Sequence, residues 1–212
     1  MEKYKVIYIP GNGGGGVDVL SPIHENWIPW VKKELERVGE TKRKSDKETK
    51  INRDKETKIE VIAVDFPDPE LARSKFWLPH IEKLEADENT ILIGWSSGAV
   101  AAMRYAETHK ILATILVAAC YTDLGIETEK QSGYFNRPWD WETIKKNQKW
   151  IVQFASTNDP FIPIEEARHV QKHLNTEYYE MKNMEHFGYP VPKYEFPEIV
   201  EVIKRKLNEN YF

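Results

Sequence analysis

The sequence predicts an α/β fold, a parallel sheet covered by helices on both faces. Two observations carry this reading. Short apolar runs alternate with longer amphipathic stretches along the chain, the pattern of strand, helix, strand that a parallel sheet needs for its crossovers. One run, residues 111–119, is almost continuously apolar, as a strand buried on both faces must be. Taken in order, residues 4–9 form a compact β run that ends at Pro10-Gly11. Residues 27–38 place Trp27, Trp30, Val31, Leu35 and Val38 at helical spacing. A second strand is predicted over residues 59–64, a helix over 71–84, a third strand over 90–93 and a helix over 99–107. After the apolar run at 111–119 come a strand at 150–155, a helix at 164–174, a strand at 177–181 and a helix at 197–207.

The composition bounds what such a fold can be. With 212 residues, 41% of them hydrophobic, the chain reads as one domain over residues 1–212. A chain of this size buries about 70% of its unfolded surface, so its core needs no disulfide or metal staple. The single Cys120 can form no internal disulfide and argues against a zinc cluster. Thirty basic against 34 acidic residues leave a net charge of −4, with no excess to hold a phosphate backbone, so nucleic acid is not an expected partner. No stretch approaches the roughly 18 apolar residues of a membrane span. The N-terminus reaches its glycines before a signal-peptide core could form, so the expected location is cytoplasmic. Residues 40–58 break the rhythm: they are almost wholly polar and repeat DKETKI from Asp46 and from Asp54. Their mixed charges read as an expanded surface loop between the first helix and the second strand rather than as a docking tail.

The chemistry centres on Gly94-Trp95-Ser96-Ser97-Gly98, a G-x-S-x-G between a predicted strand and a predicted helix. A nucleophile elbow has this layout: the serine sits at a strained turn, flanking glycines allow close backbone approach, and the helix N-terminus favours a developing oxyanion. A serine needs a base and an orienter for that base. With this elbow the chain order is serine, acid, histidine, the last two on loops at strand ends. Asp159, just past the strand at 150–155, and His186, just past the strand at 177–181, stand in those places. Asp123, after the preceding strand, is the rival acid.

The glycine cluster Pro10 to Gly16 has two readings. Gly11, Gly13 and Gly16 satisfy the dinucleotide fingerprint, but Ser21-Pro22 delays the helix that it needs, and no acid stands at the end of a following strand about 20 residues on. The alternative is an oxyanion loop after the first strand, with the Asn12 N–H pairing with that of Ser97, and Gly13 as second choice for the donor. That reading is preferred, and no cofactor is expected. His169 and His173 are four apart on a helix, but Val170 occupies the place of the glutamate in H-E-x-x-H, so no metal is expected. His24, His80 and His109 read as structural. Tyr121, Tyr134, Phe135, Trp139 and Trp141 crowd the segment before the 150–155 strand, where they either line a pocket, together with Trp95, or form the core of a short helical excursion.

Longer matches surround these residues: PGNGGG at 10–15, WVKKELE at 30–36, FPDP at 66–69, SSGAVAAMRYAETH at 96–109, SGYFNRPWDWE at 132–142 and STNDPFIP at 156–163. Over nearly the whole chain outside residues 40–58 the sequence resembles the retinoblastoma-binding protein 9 type serine hydrolases, a small α/β-hydrolase family. The resemblance implies about six mostly parallel strands without a large cap, and carries nucleophile, acid and base onto Ser96, Asp159 and His186. It leans towards amides or peptides bearing an apolar or aromatic group. Three positions depart from the family pattern. Trp95 replaces a frequent histidine, and Glu185 stands where glycine is usual before His186. The L-x-C-x-E motif appears as Leu84-Glu85-Ala86-Asp87-Glu88, without its cysteine, so binding of the retinoblastoma protein is not expected. The expected function is therefore hydrolysis of small ester or amide substrates through an acyl-enzyme. The alternatives are a thioesterase and a non-catalytic interaction module on the same fold.

Overall fold

A computed structural model describes residues 2–13, 26–45 and 57–209. Six strands form one sheet: β1 (Glu2–Ile9), β2 (Thr57–Ile62), β3 (Thr90–Trp95), β4 (Ala113–Val117), β5 (Trp150–Ser156) and β6 (Glu177–Met181). Their order is β2-β1-β3-β4-β5-β6, and all five neighbouring pairs are parallel. The α/β class and the six-strand sheet are as the sequence implies. The helices are α1 (Ile28–Ser45), α2 (Ser74–Lys83), α3 (Ser97–Ala106), α4 (Glu127–Ser132), α5 (Trp141–Lys146), α6 (Ile164–Leu174) and α7 (Pro197–Glu209). α1 packs on α7, while α2, α3, α5 and α6 form a separate row of contacts. β4 is buried at every position, and α3, which packs against β3 and β4, is buried along its whole length. A fully buried Val, Leu, Ile or Met side chain in these elements contributes about 1.5–3 kcal/mol, so the elbow helix rests on buried core.

The strand order fixes where a site can form. From β1 the chain moves to β2 on one side and then returns to β3 on the other side of β1. The carboxyl ends of β1 and β3 therefore flank the point where the winding reverses, and a crevice opens there in sheets of this type. Pro10 to Asn12 follow β1, and Ser96 follows β3.

Two boundaries beside the polar stretch differ from expectation. α1 continues past Val38 to Ser45, and β2 begins at Thr57, so both ends of the polar stretch 40–58 belong to regular structure. The helix outlasts its apolar stripe because Glu40, Lys42, Arg43 and Lys44 are good helix formers. β2 starts early because Thr57 and Lys58 pair with Glu2 and Lys3, and the ladder needs no apolar side chain. The first DKETKI copy and the start of the second lie outside the described residues, as does His24.

At the sheet edge, Glu177 on β6 accepts from the Tyr179 hydroxyl at 2.5 Å and pairs with Lys206 at 2.9 Å and with Arg205, both on α7. Burial pushes its carboxyl up, but the hydrogen bonds from Tyr179, Lys206 and Arg205 together hold it at about 2, against an ordinary 4.5. A carboxyl depressed in the folded state stabilises above its unfolded value, and that stabilisation is lost as pH falls through the folded one. With its side chain 30% exposed, solvent screening leaves about 1 kcal/mol. Glu177→Gln is expected to lower Tm by about 2–4 °C at neutral pH. The difference should close as pH falls from about 4.5 to about 2, and a gap that persists below that range would rule out the carboxylate as its source.

Candidate active site

Ser96 stands between β3 and α3 with φ 56° and ψ −122°, a region that a residue with a side chain enters only under constraint. The constraint is visible on both sides. The Ser96 N–H donates to Val117 O on β4 at 2.9 Å, and the Ser96 carbonyl accepts from Ala99 N at 2.9 Å as α3 begins. The two glycines of the motif are required by close approach. A methyl group at Gly98 would stand 2.1 Å from the Ile9 carbonyl oxygen, and one at Gly94 would stand 2.4 Å from the Gly98 carbonyl oxygen. α3 can therefore press directly against the end of β1. The Ser96 amide is committed to the sheet, whereas that of Ser97 is the first of the N–H groups at the start of α3 that precede its first intrahelical bonds, from Ala99 and Val100.

The loop after β1 lies beside this turn. A Cβ on Gly11 would be 3.3 Å from the Ser96 Cβ. The Gly13 N–H donates to Pro69 O at 2.8 Å, which engages the second-choice donor elsewhere. Asn12 Nδ2 donates to Glu129 Oε1 at 2.8 Å, and Ser97 Oγ donates to the same oxygen at 3.0 Å. Gly14, Gly15 and Gly16 lie outside the described residues, so the third position of the dinucleotide fingerprint does too.

The structure brings Asp159 and His186 together. Asp159 Oδ2 is 2.7 Å from His186 Nδ1, with side-chain exposures of 3% and 9%. The other oxygen, Oδ1, accepts from Phe161 N at 2.9 Å and Ile162 N at 3.0 Å, so the carboxylate is fixed at both ends. Asp123 takes a different place: its Oδ1 accepts from Gly125 N at 2.8 Å in the turn after β4. That turn is tethered to α6, because Glu166 Oε2 accepts from both Tyr121 N and Thr122 N.

The histidine loop is gripped by two indoles. Trp95 Nε1 donates to His186 O at 2.9 Å and Trp27 Nε1 donates to Phe187 O at 2.8 Å. The Trp95 ring also lies 5.5 Å from the imidazole, which sets His186 beside the elbow. Glu185 has φ 48°, a conformation that favours glycine. Here Glu185 Oε1 accepts from Asn158 Nδ2 at 2.6 Å, tying the histidine loop to the aspartate loop.

The aromatic segment is a short helical excursion made of α4 and α5. Arg104 of α3, 2% exposed, donates to the carbonyls of Tyr134, Arg137 and Pro138 and pairs with Glu107. Its guanidinium lies 3.6 Å from the centre of the Trp139 ring. Trp139 Nε1 donates to Tyr121 O, Tyr121 stacks on His169 at 3.6 Å, and His169 stacks on His173. Phe135 packs edge-on to Trp139, and Tyr134 is buried. Of the six aromatic residues weighed as pocket lining, Trp95 is the one whose ring meets that of His186. Two aromatics outside that set lie near the histidine, one against its ring and the second against the first. Phe161 lies edge-on at 5.1 Å, and Tyr189 lies 5.6 Å from Phe161; they are 44% and 56% exposed. The sequence reading passed over Phe161, and its place two residues after Asp159 is the signal that would have found it.

Among the described residues no helix is long and apolar enough to cross a membrane. The chain matches the family described as serine hydrolase over residues 48–205. Serine hydrolase RBBP9 of Rattus norvegicus is 43% identical over 204 residues, which span 96% of this chain and 95% of that protein. Among solved structures, the ydeN gene product from B. subtilis aligns with a TM-score of 0.73 at 20% identity, over 97% of this chain and 99% of that one. Est1E from Butyrivibrio proteoclasticus aligns with a TM-score of 0.64 at 14% identity, over 98% and 88%. At such identities these structures speak for a common fold.

Proposed function

The chain belongs to the serine hydrolase family, and from that premise we propose that Ser96, His186 and Asp159 are its catalytic triad and that it cleaves small esters or amides through an acyl-enzyme. The observation that carries this is the 2.7 Å Asp159–His186 pair, whose histidine carbonyl is bound by Trp95, the residue just before a serine at φ 56°. With Nδ1 turned to Asp159, Nε2 is the nitrogen left to take the Ser96 proton as Oγ attacks the carbonyl carbon. The tetrahedral oxyanion is received by the N–H groups of Asn12 and Ser97. His186 then protonates the leaving alcohol or amine, and later removes a proton from the water that releases the acid. Phe161 and Tyr189 offer exposed aromatic faces beside His186, which supports a preference for substrates with an apolar or aromatic group. The Leu84–Glu88 segment lacks the cysteine of L-x-C-x-E, and we extend the proposal to an absence of retinoblastoma-protein binding there.

The test is to treat the folded protein with a fluorophosphonate and map the adduct by mass spectrometry, then compare a matched aryl oxyester, anilide and thioester. One adduct, on Ser96, with turnover of the ester or anilide is the expected result. An adduct on another residue, or none, sinks the triad assignment. A thioester turned over far faster than its oxyester moves the protein to the thioesterases.

A further inference from the structure

Glu129 plays no part in the triad, yet it reaches the centre of the site. It lies on α4, is 8% exposed, and its oxygen Oε1 accepts from both Asn12 Nδ2 at 2.8 Å and Ser97 Oγ at 3.0 Å. These two donors belong to different elements. Asn12 follows β1 and Ser97 opens α3, while Glu129 arrives from 32 residues beyond Ser97. We propose that Glu129 is a positioning residue for the oxyanion hole: one carboxyl oxygen ties together the side chains of the two residues whose backbone N–H groups receive the oxyanion, and so sets the spacing and direction of those groups. This rests on the assignment of Asn12 and Ser97 made above.

Three considerations favour positioning over simple packing. First, the second oxygen, Oε2, is buried with no hydrogen-bond partner among the described residues. An unmet buried acceptor is destabilising by about 1–3 kcal/mol, so an apolar side chain would serve better if α4 merely had to pack on α3. Second, the oxyanion hole is a rigid-geometry device: a misplacement of about 1 Å in such a site costs about 10²-fold in rate. A loop leaving a strand has no such rigidity of its own, whereas one anchored to the elbow helix through a shared acceptor does. Third, the anchor suits its place electrostatically. Burial pushes the Glu129 carboxyl up, more than the hydrogen bonds from Ser97 and Asn12 draw it down, and Asp123 adds to the rise. The shift favours the neutral form over that of an exposed carboxyl, and the neutral form still offers Oε1 to both donors.

The test compares wild type, Ser96→Ala, Glu129→Met, Glu129→Gln and Asn12→Ala for kcat, KM, Tm and rate of fluorophosphonate labelling. Glu129→Met fills the same volume without an acceptor. It is expected to lower kcat and the labelling rate about 30–100-fold, with KM within about threefold. Glu129→Gln keeps an oxygen for both donors and is expected to recover at least about tenfold of that loss. Asn12→Ala keeps its backbone N–H but loses the tether, so it should lose kcat to a similar degree. The double variant Asn12→Ala/Glu129→Met should be little worse than either single one, because both break one connection. If wild type turns over and Ser96→Ala does not, but Glu129→Met keeps normal kcat or glutamine fails to restore it, the Glu129 assignment is overturned while the triad stands. If wild type neither turns over nor labels, the underlying assignment fails instead. Should Glu129→Met not fold, Asn12→Ala decides: wild-type kcat there overturns the proposal, and a reduced kcat at unchanged Tm sustains it.

Discussion

Ser96→Ala is expected to lower kcat by about 10⁶-fold and to abolish fluorophosphonate labelling, at little cost in stability. The separation of the two effects follows from the elbow itself. The turn at φ 56° is imposed by backbone: the bond from Ser96 N to Val117 O on one side, the start of α3 on the other, and the two glycines that let β1, β3 and α3 meet. None of these uses Oγ. Alanine meets the same backbone strain as serine, so the variant loses the nucleophile and keeps the fold. Tm within about 2 °C of wild type, together with inert chemistry, is the expected pair of readings. Turnover within about a hundredfold of wild type would place the nucleophile elsewhere in the chain.

The same features explain what could be read from the sequence. β3, β4 and α3 announced themselves because they are core elements, and burial on every side leaves an apolar run that no other state explains. The elbow position of Ser96 and the pairing of Asp159 with His186 could be anticipated because each lies in the segment that follows a strand, where position limits the candidates. What escaped is instructive. α4 and α5 are six residues each, too short for a period to register, although Asp140 caps α5 by accepting from Thr143 N at 3.1 Å, a signal present in the sequence. The polar end of α1 escaped because helix can propagate on propensity after its apolar face has ended. Glu129 escaped for a deeper reason. It lies among polar residues in Glu127–Ser132, and nothing local marks it as the one whose side chain turns inward. Its partner Asn12 is 117 positions away. Only the assembled sheet brings the two together.

Asp159→Asn tests the geometry more sharply than any truncation, and kcat is expected to fall about 10⁴-fold with Tm little changed. Asp159 Oδ1 is held by two backbone donors, Phe161 N and Ile162 N, while Oδ2 faces His186 Nδ1. Both donors require an oxygen, so the asparagine must set its Oδ1 there and turn its amide NH2 towards the imidazole. Facing a donor, Nδ1 becomes an acceptor, and the ring proton moves to Nε2. That is the nitrogen that has to accept the Ser96 proton, so the base is blocked although no atom has moved far. Asp159→Ala lacks the opposing NH2 and leaves the tautomer unfixed, so it should be less damaging to the tautomer but looser in ring orientation. Nitrogen NMR of labelled His186 should report protonation at Nδ1 in wild type and at Nε2 in Asp159→Asn. Unchanged tautomers, or kcat within about tenfold of wild type, would mean that Asp159 acts in packing the loop and that the base is oriented by another group. The backbone amides of Phe161 and Ile162 thus choose which way the asparagine faces, and through it whether His186 can act as a base.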